Sequence, residues 1–262
     1  MRNALLLLAA LVLTSCSTSP LGRNQLILFP ESEMNQMGVA AYQDIKNKTP
    51  ARASGSTDRY VQCVSEHVVR ALPGGNPEDW EVTVFDEDQA NAFALPGGKI
   101  GVYTGLLKVA EDQDQLATVI GHEVAHVLAR HSNERVSTAT LTQSGLQLAQ
   151  IAAGATSPMK QQLFGLLGLG AQVGVILPFG RKQESEADLV GLDLMANAGF
   201  DPRASVKLWQ NMAAASGGKS QPEFMSTHPS SDRRIAQLNE RIPSAMKLSL
   251  AARQSGKTPD CS

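Results

Sequence analysis

The 262-residue sequence has little of several features that mark common protein classes. Only 5% of its residues are aromatic and only three are cysteine, and no two cysteines have the CxxC spacing of many metal sites. The formal net charge is -2, without the basic cluster that binds nucleic acid. We therefore expect no nucleic-acid partner. With 42% hydrophobic residues, the chain can form one sizeable globular domain, and a second full domain is not expected.

The first apolar stretch, residues 4–13, is too short to span a membrane. It follows Arg2 and runs into Leu-Thr-Ser-Cys, which resembles the bacterial lipobox. The resemblance implies a signal peptide at residues 1–15 and a lipidated Cys16. Because no Asp follows the cysteine, it also implies a lipid anchor at the periplasmic side of the outer membrane. The alternative is an ordinary secretory signal in which Cys16 is incidental.

Export also bears on the other two cysteines, Cys63 and Cys261. In an oxidising compartment a remaining pair forms a disulfide more often than a metal site. We expect a Cys63–Cys261 disulfide that anchors the C-terminal tail, and the alternative is two free thiols.

The pattern of apolar residues predicts an α+β domain that is mostly helical, with a small antiparallel sheet. Residues 16–30 read as a tether, residues 31–245 as the domain and residues 246–262 as a tail. Helical spacing is found at residues 31–46 and 57–71, and again at 111–133. Between them, alternating apolar residues on both sides of Pro96-Gly97-Gly98 predict a strand and a hairpin.

The third helical segment contains "GHEVAH". His122 and His126 are four residues apart, so both rings leave one face of a helix and can converge on one ion. Two neutral imidazoles suit zinc. Glu123 lies beside them, where it can take a proton from zinc-bound water. Such a pattern also arises by chance on charged helices with solvated histidines, so a further ligand must be sought.

Catalytic zinc sites have three protein ligands and an open position, whereas structural sites have four. In "RKQESEADLVG", a helical phase puts Glu184 and Asp188 on one face and Glu186 away from them, facing solvent or a surface partner. Glu184 can then complete the ligand set, and Asp188 can accept the second ring N–H of a ligand, with His122 favoured. His131, about half-way round the helix from His122, reads as a polar residue near the helix end. The alternative is that these carboxylates are solvated helix charges.

Four segments together resemble the family 48 metallopeptidases, gluzincins that include HtpX-like and CAAX prenyl endopeptidases. They are "NAFALPGGKIGVYTGLL", "GHEVAHVLARH", "RKQESEADLVG" and "STHPSSDRRI", in the family's order. The resemblance implies a zincin-type fold, one Zn²⁺ per chain and Glu184 as its ligand. It also implies that His228 and Arg234 act near the zinc and the developing oxyanion, and that His228 can block the open zinc position. By the same analogy the substrate pairs with a strand formed by Asn91, Ala92, Phe93 and Ala94.

We therefore expect a zinc endopeptidase of the bacterial cell envelope that cleaves misfolded or misassembled proteins. The stretch "LFGLLGLGAQVGVILPF" is borderline for a membrane span and is expected to form a buried helix beside the active site. Two rival functions stay open. One is an assembly factor or chaperone of outer-membrane proteins with secondary protease activity, and the other is a zinc hydrolase of non-protein substrates.

Overall fold

A computed structural model describes residues 16–52, 55–152, 179–215, 223–228 and 232–261. The predicted signal peptide at residues 1–15 lies outside these residues, as does nearly all of the apolar stretch at 163–179. Within the described residues no helix is both long enough and apolar enough to cross a membrane.

The described residues form an α+β structure with more helix than strand, as the sequence pattern predicts. In chain order the elements are β1 (Cys16–Thr18), β2 (Asn24–Leu26), α1 (Glu31–Lys48), α2 (Ser56–Arg70), β3 (Glu81–Phe85), β4 (Ala92–Leu95), β5 (Lys99–Tyr103), α3 (Gln113–Leu128), α4 (His131–Ala152), α5 (Arg181–Asn197), α6 (Ala204–Ala215), α7 (Glu223–Thr227) and α8 (Asp232–Gln254).

The main sheet has the strand order β3-β5-β4 and is mixed, whereas the sequence predicted a small antiparallel sheet. β4 and β5 form the predicted antiparallel hairpin, and Gly97 and Gly98 in its turn both have positive φ. β3 pairs with β5 in parallel. After β3, the chain first forms β4 at the far side of the sheet. It then turns back and places β5 between β3 and β4. This connection leaves β4 at an edge of the sheet.

Helices α3 and α5 pack against each other at the centre of the domain. Their backbones meet at Gly121 and Gly191, where an added Cβ on either glycine would lie 2.7–2.8 Å from the other helix. Only glycine permits so close an approach. Because Gly121 directly precedes His122, the contact brings the histidines of α3 next to the carboxylates of α5.

The expected helix at 111–133 is interrupted. α3 ends at Leu128, Arg130 adopts a left-handed conformation with φ 54°, and α4 begins at His131. A positive φ in a residue other than glycine turns the chain out of the helical path. His131 therefore starts a new helix.

The two predicted chain ends are folded parts of the domain. β1 and β2 form a hairpin (the N-terminal hairpin, residues 16–26) in which Ser19 and Gln25 are buried. The predicted boundary at residue 245 falls inside α8, which continues to Gln254. A disulfide joins Cys63 of α2 to Cys261, with 5.7 Å between their Cα atoms. The sequence predicted a tether and a tail because the local pattern of residues does not show which distant elements will cover a segment.

Candidate metal centre

His122 and His126 point from α3 into a buried space, and their Nε2 atoms lie 3.0 Å apart. Glu184 of α5 faces them, with carboxylate oxygens 3.5 Å from His122 Nε2 and 3.4 Å from His126 Nε2. His228 follows α7, and its Nδ1 lies 3.2 Å from His122 Nε2 and 3.1 Å from Glu184. Each of these four residues offers one ligand atom, and all the atoms lie within 4.8 Å of one another.

The donor set fits a zinc ion. Three ring nitrogens and a carboxylate oxygen are typical zinc ligands, and their lone pairs can converge on one cation. Burial holds the pKa of His126 well below its usual value, which keeps that ring neutral. Burial acts to raise the pKa of Glu184, but the charge of His228 and hydrogen bonds from the histidines hold it well below its usual value. The carboxylate is thus ionised and able to bind a metal.

Asp188 lies against His122, the histidine that the sequence analysis favoured as its partner. Its Oδ1 lies 3.0 Å from His122 Nδ1. A carboxylate there accepts a hydrogen bond from Nδ1–H, and in this tautomer of the neutral ring the Nε2 lone pair of His122 points at the other ligand atoms. Burial acts to lower the pKa of His122, but Asp188 and Glu184 outweigh it and raise the pKa to about 9, so a metal ion must displace a proton from this ring.

Arg234 lies behind the carboxylates. Its Nε and Nη2 donate to Asp188 at 2.6 and 2.7 Å, and its Nη1 lies 2.8 Å from Glu184 Oε2. The guanidinium also covers the ring of Trp209 at 4.3 Å. Burial acts to raise the pKa of Asp188, but the charge of Arg234 outweighs it and lowers the pKa. The family resemblance implied that Arg234 acts near the zinc and the developing oxyanion. In the structure, Arg234 contacts the carboxylates of Asp188 and Glu184.

Glu123 is buried beside the ligand atoms. Burial raises its pKa, partly opposed by the charges of His228 and His122. The backbone N–H of Ala94 donates a hydrogen bond to Glu123, and His228 Nε2 lies 3.3 Å from Glu123 Oε1. A carboxyl group with a raised pKa can exchange protons near neutral pH, which suits an acid–base role.

The two residues that sequence reasoning misplaced are His131 and Glu186. His131 is completely buried, with Nδ1 2.9 Å from His126 Nδ1 and Nε2 3.1 Å from Glu186 Oε2. Glu186, expected at the surface, is 4% exposed. The helical phase of Glu186 was right, but the N-terminal hairpin and His131 cover that side of α5. The sequence signal for this contact was the third histidine of "HEVAHVLARH", His131. An uninterrupted helix would have placed it on a different face from His126.

Aromatic rings close the space around the candidate ligands. The ring of Phe179 lies 3.8 Å from that of His126, and the ring of Phe224 stacks on His228 at 4.5 Å. Phe179 is the last residue of the apolar stretch that was expected beside the active site. The rest of that stretch lies outside the described residues.

The strand expected to bind substrate is β4, next to Glu123. Tyr103 N donates to Asn91 O at 3.0 Å, and the register pairs Ala92 with Val102. Residues that exchange hydrogen bonds alternate with those that do not in an antiparallel pair. The backbone groups of Asn91 and Phe93 are therefore turned toward β5, and those of Ala92 and Ala94 toward the side of β4 that pairs with no strand among the described residues. Both alanines are buried. The expectation that all four offer backbone groups is corrected to two.

Comparison with known proteins gives a consistent set of similarities. The sequence profile of Peptidase family M48 matches residues 55–242. The mitochondrial metalloendopeptidase OMA1 of Schizosaccharomyces pombe is 39% identical over 215 residues, 80% of this chain and 61% of that protein. The human mitochondrial metalloendopeptidase OMA1 is 30% identical over 267 residues, 93% of this chain and 49% of that protein. The beta-barrel assembly-enhancing protease of Escherichia coli is 32% identical over 213 residues, 79% of this chain and 43% of that protein.

This chain spans about half the length of the curated relatives it matches. The predicted location is wrong: the relatives with 38–39% identity over most of the chain are mitochondrial, which points away from a bacterial outer-membrane lipoprotein. Lipidation of Cys16 and a membrane attachment through it are likewise unsupported. A short apolar segment before a cysteine says little about where a protein is located. Targeting receptors recognise such segments by general apolar character, and packing in the fold does not constrain their sequence.

Proposed function

Because the chain belongs to peptidase family M48, we propose that it is a zinc-dependent endopeptidase that hydrolyses peptide bonds in unfolded or misassembled proteins. The observation that carries this proposal is the convergence of His122, His126 and Glu184 beside the buried Glu123. These residues would hold one zinc ion, which when bound polarises the scissile carbonyl and lowers the pKa of a water molecule. Because the predicted outer-membrane location is wrong, we do not restrict the substrates to proteins of the bacterial cell envelope.

Glu123 would act as general base and then as general acid. Its raised pKa allows it to take a proton from the attacking water and to deliver that proton to the leaving amine. The Ala94 N–H and the nearby His228 ring limit the directions its carboxylate can take. Hydrolysis then needs no covalent intermediate.

His228 would have two successive roles. If all four side chains held a tetrahedral zinc ion, no position would be left for water, so His228 would have to withdraw before hydrolysis. Its ring lies between Glu123 and Glu184 and can then donate a hydrogen bond to the developing oxyanion. Arg234 would support both states by holding Glu184 and Asp188.

β4 would bind the substrate as an added strand. The carbonyl groups of Ala92 and Ala94 would accept hydrogen bonds from backbone N–H groups of an extended peptide. The Phe93 side chain packs with Tyr42 and Phe85, which fixes the strand from the opposite face. Recognition through backbone groups selects extended chains with little regard to side chains. This supports unfolded or misassembled proteins as the substrate class.

The test is casein cleavage by the purified chain, with and without a zinc chelator, compared with Glu123→Gln. The variant keeps the shape of Glu123 and the metal ligands, so zinc content and the unfolding midpoint should be unchanged. Cleavage should fall by several orders of magnitude. Undiminished cleavage by Glu123→Gln would contradict the mechanism. No cleavage by the wild type would favour a chaperone or a hydrolase of other substrates.

His228→Ala separates the ligand role from the catalytic one. Three ligands remain, so the variant should retain zinc, whereas casein cleavage should fall by about 10²- to 10³-fold if the ring stabilises the oxyanion. An increase in cleavage would mean that His228 only restrains the enzyme.

A further inference from the structure

Behind His126 lie two buried side chains in a line, His131 and Glu186, that the catalytic proposal does not use. Glu186 Oε2 is 3.1 Å from His131 Nε2, and His131 Nδ1 is 2.9 Å from His126 Nδ1. His126 Nε2 then faces the other candidate ligands. His122 has a carboxylate directly at its Nδ1, whereas His126 has a second imidazole between its ring and a carboxylate.

Glu186 is held as a hydrogen-bond acceptor by the N-terminal hairpin. Ser19 Oγ and Leu21 N donate to its Oε1, the latter at 3.1 Å, and Arg23 Nε donates to its Oε2 at 3.1 Å. An ionised carboxylate can only accept. With three donors already converging on it from the hairpin, Glu186 needs a fourth donor, not an acceptor, on the side of His131.

Because Glu186 can only accept a hydrogen bond, it determines which ring nitrogen of His131 and of His126 carries a proton. His131 must carry its proton on Nε2 to donate to Glu186, which leaves Nδ1 of a neutral ring as an acceptor. His126 must then carry its proton on Nδ1. Its Nε2 is left with a lone pair that points at the metal position, as a zinc ligand requires.

The break between α3 and α4 makes this line possible. In a continuous helix His131 would lie about 140° round the axis from His126, since each residue adds about 100°. The left-handed Arg130 turns the chain so that the two Nδ1 atoms meet.

We propose that Glu186 and His131 are positioning residues that fix the His126 ring in its metal-binding tautomer. The proposal rests on the proposed zinc site but not on peptide cleavage. Outer hydrogen-bond partners of this kind are worth about 10- to 100-fold in metal affinity. The N-terminal hairpin, through its three bonds to Glu186, is thereby joined to the metal centre.

The first measurement needs no metal. Long-range ¹H–¹⁵N spectra of the histidine rings in the metal-free full chain at pH 8 report which nitrogen of each ring carries the proton. We expect His126 protonated on Nδ1 and His131 on Nε2. A doubly protonated His131, or the opposite tautomer of His126, overturns the proposal whether or not the chain cleaves peptides.

The second measurement is the Zn²⁺ dissociation constant by competition with a chromophoric chelator. His131→Gln can still accept from His126 and donate to Glu186, so its affinity should stay within about threefold of wild type. His131→Leu makes neither bond and should bind Zn²⁺ about 10- to 100-fold more weakly. Glu186→Gln places an amide N–H₂ group among groups that themselves donate hydrogen bonds. This variant should lose a similar amount of Zn²⁺ affinity and change the tautomer of His126.

Glu134→Gln is the matched control. Glu134 also pairs with Arg23 of the hairpin, and no hydrogen bond joins it to His131 among the described contacts. It should leave zinc affinity and tautomer unchanged. Equal losses in Glu134→Gln and Glu186→Gln, equal losses in His131→Gln and His131→Leu, or unchanged affinity in His131→Leu would each overturn the proposal.

Discussion

Replacing Arg234 with Met tests whether its guanidinium stabilises the carboxylates behind the metal centre. Its three nitrogens lie 2.6–2.8 Å from oxygens of Asp188 and Glu184. The side chains of Arg234, Asp188 and Glu184 are 4%, 4% and 1% exposed, so water cannot replace the guanidinium. Removing one partner of a buried ion pair costs about 3–5 kcal/mol. We expect Arg234→Met to lose about that much free energy of unfolding.

A matched control lies on the same two helices. Arg241 of α8 pairs with Asp193 of α5 through Nε and Nη2, but these side chains are 40% and 23% exposed. Water can solvate both groups after the change. Arg241→Met should therefore cost only about 0–1 kcal/mol.

The assay is urea unfolding of the metal-free proteins, because bound zinc would partly neutralise Glu184. With an m value of about 2 kcal/mol/M, Arg234→Met should lower the midpoint by roughly 1.5–2.5 M and Arg241→Met by less than about 0.5 M. Arg234→Lys should fall between them, since an ammonium cannot reproduce the fork. Equal shifts for the two methionine variants would refute the reasoning, because burial would then not decide the strength of the pair.

Three further results are expected. Glu184→Ala should lose the zinc-dependent rise in melting temperature that the wild type shows, because a ligand is removed; a retained rise would exclude Glu184 from the site. Replacing Cys63 and Cys261 with Ala should destabilise the chain by up to the order of 5 kcal/mol, as the chain-entropy model gives for a separation of 198 residues, and an unchanged urea midpoint would contradict this. Burial raises the pKa of Tyr42 to about 12, so its stabilising effect is present below pH 10 and lost between pH 10 and 12. Tyr42→Phe should lose less unfolding free energy than the wild type over that interval, and parallel curves would contradict the shift.

The sequence predicted those parts of the site that depend on one turn of helix. His122 and His126 share a face of α3 because they are four residues apart, and Glu184 and Asp188 share a face of α5 for the same reason. The long helices and the hairpin at Gly97 were predictable in the same way, from apolar spacing and turn residues. These features are local, so a few neighbouring residues decide them.

Contacts between distant segments could not be read in this way. The sequence pattern left residues 16–26 as a tether, yet this hairpin covers Glu186 from about 160 residues away, Ser19 and Glu186 being 167 positions apart. The parallel pairing of β3 with β5 likewise depends on the path between strands. Whether a helix face is buried depends on which other segment packs against it. The residues of that face do not show which segment this will be.

The sequence by itself determined the donor types of the metal centre, the base beside it and the helices that carry them. Only the tertiary structure brought His228 to Glu184, turned His131 back onto His126 and placed Arg234 against two carboxylates. The physical reason is range: hydrogen bonding along a helix fixes residues three and four apart, whereas a break such as the left-handed Arg130 and the packing of α8 on α5 redirect side chains in ways that no local period encodes.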